Sequence, residues 1–131
     1  MLQIFASSAT RTLGSDILFG RIGGEEFAAV LPVGDLGEAV AIADRVRRNF
    51  ANAAVEHGTP DLVPTVSVGV TLGCDPKLPV AGLLAAADQA LYRAKANGRN
   101  RVECSEPEMA GKAPPSEAGE RRSWRHAAAR A

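Results

Sequence analysis

Cysteine is scarce in this chain, and the chain has neither an excess of one charge nor a long hydrophobic run. Its two cysteines, Cys74 and Cys104, are too few for a disulfide framework and form no CxxC pair, so we predict reduced, partly buried thiols rather than metal ligands or a redox couple. Fifteen Lys and Arg balance fifteen Asp and Glu, so no net charge draws the chain toward nucleic acid or an anionic membrane. The longest apolar runs, such as residues 80–87, are far shorter than the roughly 20 residues that span a bilayer. We therefore expect a cytoplasmic protein with no nucleic-acid or membrane partner.

The composition changes abruptly after residue 102. From Glu103 onward the sequence contains no Val, Ile, Leu, Phe or Tyr, and Pro, Ser, Gly, Ala and charged residues dominate. Such a segment buries too little apolar surface to offset the conformational entropy that is lost on ordering. We therefore predict one folded domain over residues 1–102 and a disordered tail over residues 103–131.

The first third of the chain predicts a helix followed by a β-hairpin. Apolar residues recur at helical spacing over residues 2–13 with no capping residue before them, so the chain is expected to begin inside a helix. Two β-prone runs, 17–22 and 27–31, flank a Gly-Gly pair at residues 23–24. Such a pair can adopt the positive φ angles of a two-residue hairpin turn, which is the turn we predict.

The remaining pattern predicts two helices and two strands. Asp35 is suited to cap a helix whose apolar stripe covers residues 36–50, with its charged residues on a solvated face. Residues 65–72 alternate strictly, as a strand buried on one face does. Residues 80–98 predict a second helix with a glycine C-cap, and an edge strand follows it. Together these elements predict an α+β fold with helices packed on an antiparallel or mixed sheet.

Two groups of polar residues are candidates for chemistry. Glu25 and Glu26 follow the glycine pair directly, and carboxylates beside an open backbone suit Mg²⁺ and phosphate groups. By itself this pattern is more typical of a polar strand start. Lys95 and Arg99 lie one turn apart at the end of the second helix, where both cations could meet one anion. Their spacing alone is explained better by neutralisation of the helix dipole.

Four ordered blocks of the sequence together resemble the GGDEF domain of bacterial diguanylate cyclases. Residues 21–27 (RIGGEEF) match the family signature in its GGEEF form, and AAVLP follows at residues 28–32. Residues 66–70 (VSVGV) are similar to the family's TVSIGV strand. Residues 87–100 (ADQALYRAKANGRN) are similar to its ADxALYxAKxxGRN ending. The resemblance extends over about residues 2–102.

The resemblance implies a palm-like α+β domain, related to nucleotide cyclases, with a mostly antiparallel sheet. It implies condensation of two GTP molecules into cyclic di-GMP and pyrophosphate with Mg²⁺ or Mn²⁺. The implied substrate-binding residues, which hold the phosphates, are Gly23, Gly24, Lys95 and Arg99. The implied metal-binding and catalytic residues are Glu25 and Glu26, which also activate the attacking 3′-hydroxyl. Because each domain binds one GTP, the implied partner is a second GGDEF domain in a homodimer.

The chain also departs from the family pattern. The family's first strand and first helix, which supply a further metal-binding aspartate and an FDxDxFKxxND-like stretch, are missing. We expect a sheet that lacks a central strand and exposes unpaired backbone groups, and a metal site short of one carboxylate. The chain is therefore expected to be marginally stable and weakly active or inactive.

Two hypotheses follow. One is a diguanylate cyclase domain, favoured by the intact GGEEF motif. The other is a truncated or degenerate GGDEF module that binds GTP, cyclic di-GMP or a protein partner without catalysis, favoured by the missing strand. The family's inhibitory RxxD pattern is degraded, because Asp16 supplies the aspartate but Leu13 stands three residues before it. The sequence therefore does not support a prediction of feedback inhibition by product.

Overall fold

The computed structural model contains three helices and five strands in the residues that it describes. It describes residues 2–14, 17–57, 64–73 and 77–106, and the backbone of residues 126–130. The elements are α1 (Leu2–Leu13), β1 (Leu18–Arg21), β2 (Phe27–Pro32), α2 (Leu36–Glu56), β3 (Val68–Gly73), α3 (Val80–Ala96), β4 (Val102–Ser105) and β5 (His126–Arg130). None of the helices in these residues is both long enough and apolar enough to cross a membrane.

The strands form one sheet in the order β1-β2-β5-β3-β4. β1 pairs with β2, and β5 pairs with both β2 and β3, all in antiparallel orientation. β3 and the edge strand β4 are parallel. The prediction of an α+β fold with helices packed on a mostly antiparallel sheet is confirmed.

The tail contradicts the prediction of disorder at two places. Residues 103–105 belong to β4, and residues 126–130 form β5 in the middle of the sheet. The prediction of disorder took into account only the burial of apolar surface. β5 is instead stabilised by backbone hydrogen bonds on both of its edges. Residues 107–125 lie outside the described part of the chain.

The centre of the sheet has no gap, although a gap was expected from the absence of the family's first strand. β5 lies between β2 and β3, so the central strand position is occupied by the C-terminal segment. Its register places Ala129 opposite Ala29 on one side and opposite Val70 on the other. The expectation of unpaired backbone groups at the centre of the sheet is therefore wrong.

One face of the sheet is covered by α1 and α2. Buried aliphatic residues of β2, α2 and β3 form the central part of this core: Ala29, Leu31, Val33, Ala39, Ala43, Val68 and Val70. Beside them, α1 and the hairpin contribute a cluster of aromatic rings, in which the Phe5 and Phe50 rings meet edge to face with centroids 5.3 Å apart. This packing fixes the hairpin against the two helices.

The opposite face of the sheet is covered by α3, so β3 is buried on both faces rather than on one. A Cβ added at Gly69 would lie 2.0 Å from the carbonyl oxygen of Ala87 and 2.3 Å from the amide nitrogen of Leu91. Thr71, two residues further on, has no exposed surface. In β3, Gly and Thr alternate with aliphatic residues because α3 packs closely on the face that carries Gly69 and Thr71, and not because that face is solvated.

The other local predictions are largely confirmed. The side chain of Asp35 accepts a hydrogen bond from the amide of Glu38, so it caps α2 as predicted. Gly98 has a φ of 118° just beyond α3, as expected for a glycine C-cap. The strand predicted from residue 65 begins at Val68, because β4 and β5 offer partners only from there onward. Cys104 is a free thiol as predicted, but it is exposed. Cys74 lies outside the described residues.

The contact between Gly69 and α3 predicts a large effect of one methyl group. Gly69→Ala is expected to lower the free energy of unfolding by about 3 kcal/mol, because the new Cβ meets backbone atoms that cannot rotate away. Urea unfolding followed by circular dichroism measures this. The matched control is Gly20→Ala in β1, where a Cβ would meet nothing within 4 Å and the change should stay below about 1 kcal/mol. Similar losses in both variants would contradict the close packing of α3 on β3.

Candidate functional site

A groove of about 420 Å³ lies where the β1–β2 loop, the segment before β3 and the end of α3 meet. Two carboxylates, two cations and small or polar residues line it: Gly24, Glu25, Glu26, Thr65, Val66, Ser67, Lys95 and Arg99. Five of the six residues that the sequence singled out therefore share one groove. Gly23 is not among the lining residues. Thr65 and Ser67 were predicted only as strand residues. Their small polar side chains were the sequence signal that could have identified them as part of the groove wall.

The loop that carries the two glutamates is wider than predicted. β1 ends at Arg21 and β2 begins at its partner Phe27, so the loop spans residues 22–26. Its ends are joined by the Ile22 amide, which donates to the Glu26 carbonyl oxygen at 2.9 Å. Neither Gly23 nor Gly24 has a positive φ. The prediction of a two-residue turn is therefore wrong, because the closing hydrogen bond lies outside the glycine pair.

Gly23 and Gly24 contribute space in the loop rather than a positive φ angle. A Cβ on Gly23 would lie 3.2 Å from the Oε2 atom of Glu26, so the carboxylate of Glu26 lies against the Gly23 backbone. Around Gly24 there is open space, so a ligand has access to the backbone there. Arg21 fixes this loop, because its Nε donates to the carbonyl oxygens of Gly23 at 3.1 Å and Gly24 at 3.0 Å.

The two cations come from the end of α3 and the turn that follows it. Lys95 lies in the last turn of the helix, and the amide of Arg99 donates to the Ala94 carbonyl oxygen at 2.9 Å. Arg99 and Asn100 have φ angles of 62° and 48°, the left-handed region that non-glycine residues rarely adopt. Two consecutive residues in this conformation require specific stabilising contacts.

Those contacts come from α2 and from the segment before β3. The amide of Asn100 donates to the hydroxyl oxygen of Ser67 at 3.2 Å, and Arg47 donates from Nη1 to the Oδ1 of Asn100 at 2.8 Å. The Nε of Arg47 donates to Asp44 at 2.8 Å, which orients the guanidinium. The sequence placed Asp44 and Arg47 on a solvated face, but the Arg47 side chain is only 21% exposed. That prediction is wrong for these two residues, because α2 runs beside the turn.

The carboxylates of the groove are a partial ligand set for a magnesium ion. Among the residues that the structure describes, no group of three or more His, Cys, Asp or Glu side chains could hold a metal ion. Glu25 and Glu26 are therefore a pair of hard oxygen donors without a third. Mg²⁺ is commonly held by one or two carboxylates, with phosphate oxygens and water completing its octahedron. The pair fits Mg²⁺ provided that a phosphate-bearing ligand supplies further oxygens.

The groove therefore combines two complementary functions. Lys95 and Arg99 can neutralise a polyphosphate, while Glu25 and Glu26 can hold a divalent cation that the same polyphosphate chelates. Neither pair alone would select a metal-bound polyphosphate, because the two cations without the carboxylates would bind any anion. The arrangement suits a nucleoside triphosphate with its metal ion.

One family of known proteins matches most of this chain. The family profile described as "Diguanylate cyclase, GGDEF domain" matches residues 1–101. The "Response regulator PleD" of Caulobacter vibrioides is 39% identical over 84 residues, which cover 63% of this chain and 18% of PleD. The "Probable diguanylate cyclase DgcT" of Escherichia coli is 36% identical over 95 residues, which cover 70% of this chain and 21% of DgcT. The chain thus spans about a fifth of the length of these relatives.

A solved structure supports the same assignment. The active GGEEF domain of a diguanylate cyclase from Vibrio cholerae superposes with a TM-score of 0.64 at 31% sequence identity. The match covers 83% of this chain and 67% of the solved chain. The likeness therefore extends to the arrangement of helices and strands and is not confined to the GGEEF motif.

Removal of the Arg47 side chain is expected to disturb the turn that carries Arg99. Arg47→Ala should lower the free energy of unfolding by about 1 to 1.5 kcal/mol, because the hydrogen bond to Asn100 and the contacts with Asp44 are lost. Urea unfolding measures the stability, and the amide resonances of Arg99 and Asn100 report the turn. The control is Arg48→Ala, since Arg48 also contacts Asp44 but is 64% exposed and does not bond to the turn. It should cost less than about 0.5 kcal/mol. If Arg47→Ala and Arg48→Ala shifted the Arg99 and Asn100 resonances equally, the positioning role of Arg47 would be contradicted.

Proposed function

This chain belongs to the GGDEF family of diguanylate cyclase domains, and from that premise we propose that it provides one half of a diguanylate cyclase site. In this proposal each copy binds one GTP, and two facing copies condense the two nucleotides to cyclic di-GMP with release of pyrophosphate. The supporting observation is the groove that gathers Glu25, Glu26, Lys95 and Arg99 from distant parts of the chain. These are the residues at which the sequence matches the family's motifs.

Each pair of residues has a distinct part in the proposed reaction. The 3′-hydroxyl of one GTP attacks the α-phosphorus of the other, a P–O bond forms, and the bond to pyrophosphate breaks. Lys95 and Arg99 hold the triphosphate and neutralise the charge that develops on the leaving pyrophosphate. Glu25 and Glu26 accept the proton of the attacking hydroxyl, directly or through water, and hold the metal ion.

The proposed cofactor is Mg²⁺ or Mn²⁺. When bound, the ion neutralises phosphate charge and lowers the pKa of the attacking hydroxyl. Glu25 and Glu26 would hold it, with Glu26 already placed against the backbone of Gly23. Since no third such side chain joins this pair among the described residues, phosphate oxygens and water would supply the other ligands. Metal and nucleotide should therefore bind together rather than in sequence.

A second copy of the domain is part of the proposal. One groove holds one triphosphate, whereas the product contains two nucleotides that are joined twice. The attacking hydroxyl must therefore come from a nucleotide held by another domain. Formation of product should consequently rise more steeply than linearly with protein concentration.

An alternative function is a module that binds GTP or cyclic di-GMP without turnover. The observation that favours it is the composition of the central strand, since residues 126–130 contain no Asp or Glu. A central strand without a carboxylate leaves the groove with the pair alone. Radiolabelled GTP separates the two hypotheses: cyclic di-GMP that accumulates with Mg²⁺ or Mn²⁺ supports the cyclase, and saturable binding without product supports the module.

The carboxylate pair is expected to be essential for turnover. Glu25→Gln and Glu26→Gln should each lower the rate of cyclic di-GMP formation by about 100-fold or more, because the metal ion loses a charged ligand. Conversion of radiolabelled GTP measures the rate. The control is Glu38→Gln, because Glu38 accepts a hydrogen bond from the Gly34 amide at 2.7 Å and glutamine retains this role in a capping box. Comparable activity in all three variants would refute the assignment of the site.

The two cations are expected to determine nucleotide affinity. Lys95→Ala and Arg99→Ala should each weaken GTP binding by about 10- to 100-fold, since each removes a charged hydrogen-bond donor to phosphate. Filter binding of radiolabelled GTP measures the affinity without requiring turnover. Arg45→Ala is the matched control, because Arg45 is an exposed cation of α2 that does not line the groove. An unchanged affinity in the Lys95 and Arg99 variants would remove both residues from the site.

A further inference from the structure

One hydroxyl group in the wall of the groove is buried although the groove is open. Ser67 is only 8% exposed, whereas the other residues that line the groove are half-buried or exposed. A buried hydroxyl group that lacks a hydrogen-bond partner is unfavourable, because it has lost its hydrogen bonds to water. The hydrogen bonds that the Ser67 side chain makes therefore indicate its function.

Ser67 lies where β3 passes the end of α3. Gly69, two residues further along the chain, is in close contact with the backbone of Leu91 in α3. Side chains two residues apart on an extended segment share one face, and side chains four residues apart on a helix also do so. Ser67 therefore lies on the same face as Gly69, and Lys95 lies one helical turn beyond Leu91. This arrangement explains why Ser67 and Lys95 line the same groove.

Two hydrogen bonds fix the Ser67 segment to the turn after α3. The amide of Val68 donates to the carbonyl oxygen of Arg101 at 2.9 Å. The amide of Asn100 donates to the hydroxyl oxygen of Ser67 at 3.2 Å. The hydroxyl group is therefore held beside the backbone that carries Arg99, the second cation of the groove.

The direction of the hydrogen bond from Asn100 determines what the hydroxyl group can still do. An amide N–H can only donate, so the Ser67 oxygen is the acceptor in this bond. The hydroxyl hydrogen remains for another acceptor, and no group in the described part of the chain accepts it. A buried donor of this kind in the wall of a groove indicates an acceptor on a ligand.

Lys95 and Arg99 determine which kind of ligand supplies that acceptor. Both cations line the same groove as Ser67, so they favour an anion there. An ionised phosphate group offers several acceptor oxygens around one phosphorus atom. Two cations and a hydroxyl group can therefore donate to the same polyphosphate. A hydrogen bond from a hydroxyl group to a charged oxygen is also stronger than one between neutral groups.

We propose that Ser67 is a further substrate-binding residue, whose hydroxyl group donates to a non-bridging phosphate oxygen of the nucleotide that Lys95 and Arg99 hold. The same hydroxyl oxygen accepts from the Asn100 amide, so one side chain connects the nucleotide to the turn that carries Arg99. The turn in this way presents the hydroxyl group to the phosphate. The inference rests on the proposed function, because it requires that the groove binds GTP.

Removal of the hydroxyl group is the first test, with the full chain. Ser67→Ala should weaken GTP binding by about tenfold or more, because a hydrogen bond to a charged group is lost. Filter binding of radiolabelled GTP measures the affinity, and the melting temperature shows whether the variant folds. Ser67→Cys fills nearly the same space with a weak donor, so it should weaken binding in the same direction and serves where the alanine variant does not fold.

Ser8→Ala is the matched control, because Ser8 is a buried serine of α1 that does not line the groove. It should leave the affinity for GTP unchanged. A chain without substitutions that failed to bind GTP would refute the proposed function and this inference together. If that chain bound GTP and the two Ser67 variants bound it equally well, only the inference would be refuted.

A second experiment distinguishes contact with phosphate from an indirect effect through the turn. The ligands are GTP analogues in which sulfur, a weak acceptor, replaces one non-bridging oxygen of the α-, β- or γ-phosphate, with the stereoisomers separated. Competition with radiolabelled GTP measures their affinities. Arg47→Ala is the comparison variant, because it removes the other hydrogen bond to Asn100 but keeps the Ser67 hydroxyl group.

The position of the sulfur should matter for Ser67 and not for Arg47. With sulfur at the contacted oxygen, the loss of affinity caused by Ser67→Ala should fall from about tenfold to less than about threefold, because little of the hydrogen bond is left to remove. The loss caused by Arg47→Ala should be the same with every analogue. A loss from Ser67→Ala that was equal with all analogues would show that Ser67 acts only through the turn, and would overturn the proposal.

Discussion

The pairing of β5 with both β2 and β3 is the constraint on which the rest of the structure depends. It joins the hairpin half of the sheet, which carries Glu25 and Glu26, to the half that carries Lys95 and Arg99. Without it the two halves of the sheet would be joined only through helices that pack on both, and the facing edges of β2 and β3 would be unpaired. The groove therefore forms because the backbone hydrogen bonds of β5 to β2 and β3, rather than a side-chain contact, set the distance between its two sides.

Local elements were predictable because their causes are local. The amphipathic stripes, the Asp35 cap and the glycine after α3 lie within a few residues of the structure that they specify. The central strand was not predictable, because residues 126–130 have neither apolar alternation nor β-branched residues. Its stability comes from partners on β2 and β3 that are distant in sequence. Burial of β3 on both faces was missed for a similar reason, since Gly69 indicates close packing only once α3 is placed beside it.

The sequence predicted most residues of the candidate groove but not the contacts that hold them in place. The family motifs drew attention to Glu25, Glu26, Lys95 and Arg99, and the structure brings these four to one groove. The contacts that orient them have no sequence pattern of their own. Arg47 reaches Asn100 from another helix, and Arg21 holds the carbonyl groups of the glycine loop. Charged residues at helical spacing are usually solvated, so only the tertiary arrangement distinguishes Arg47 from its neighbour Arg48.

The identity of the central strand links the fold to the chemistry. A strand in that position ends at Arg130, opposite Ala28 and Gly69, which is the end of the sheet where the glutamate loop and the segment before β3 meet. Any segment that occupies the position therefore brings its last residues toward the groove. Residues 126–130 contain no Asp or Glu, so the proposed metal ligands in the described part of the chain are limited to Glu25 and Glu26. A carboxylate near the end of the central strand would add a hard oxygen donor beside the proposed metal ligands, so the sequence of this strand bears directly on the metal affinity that the proposed function requires.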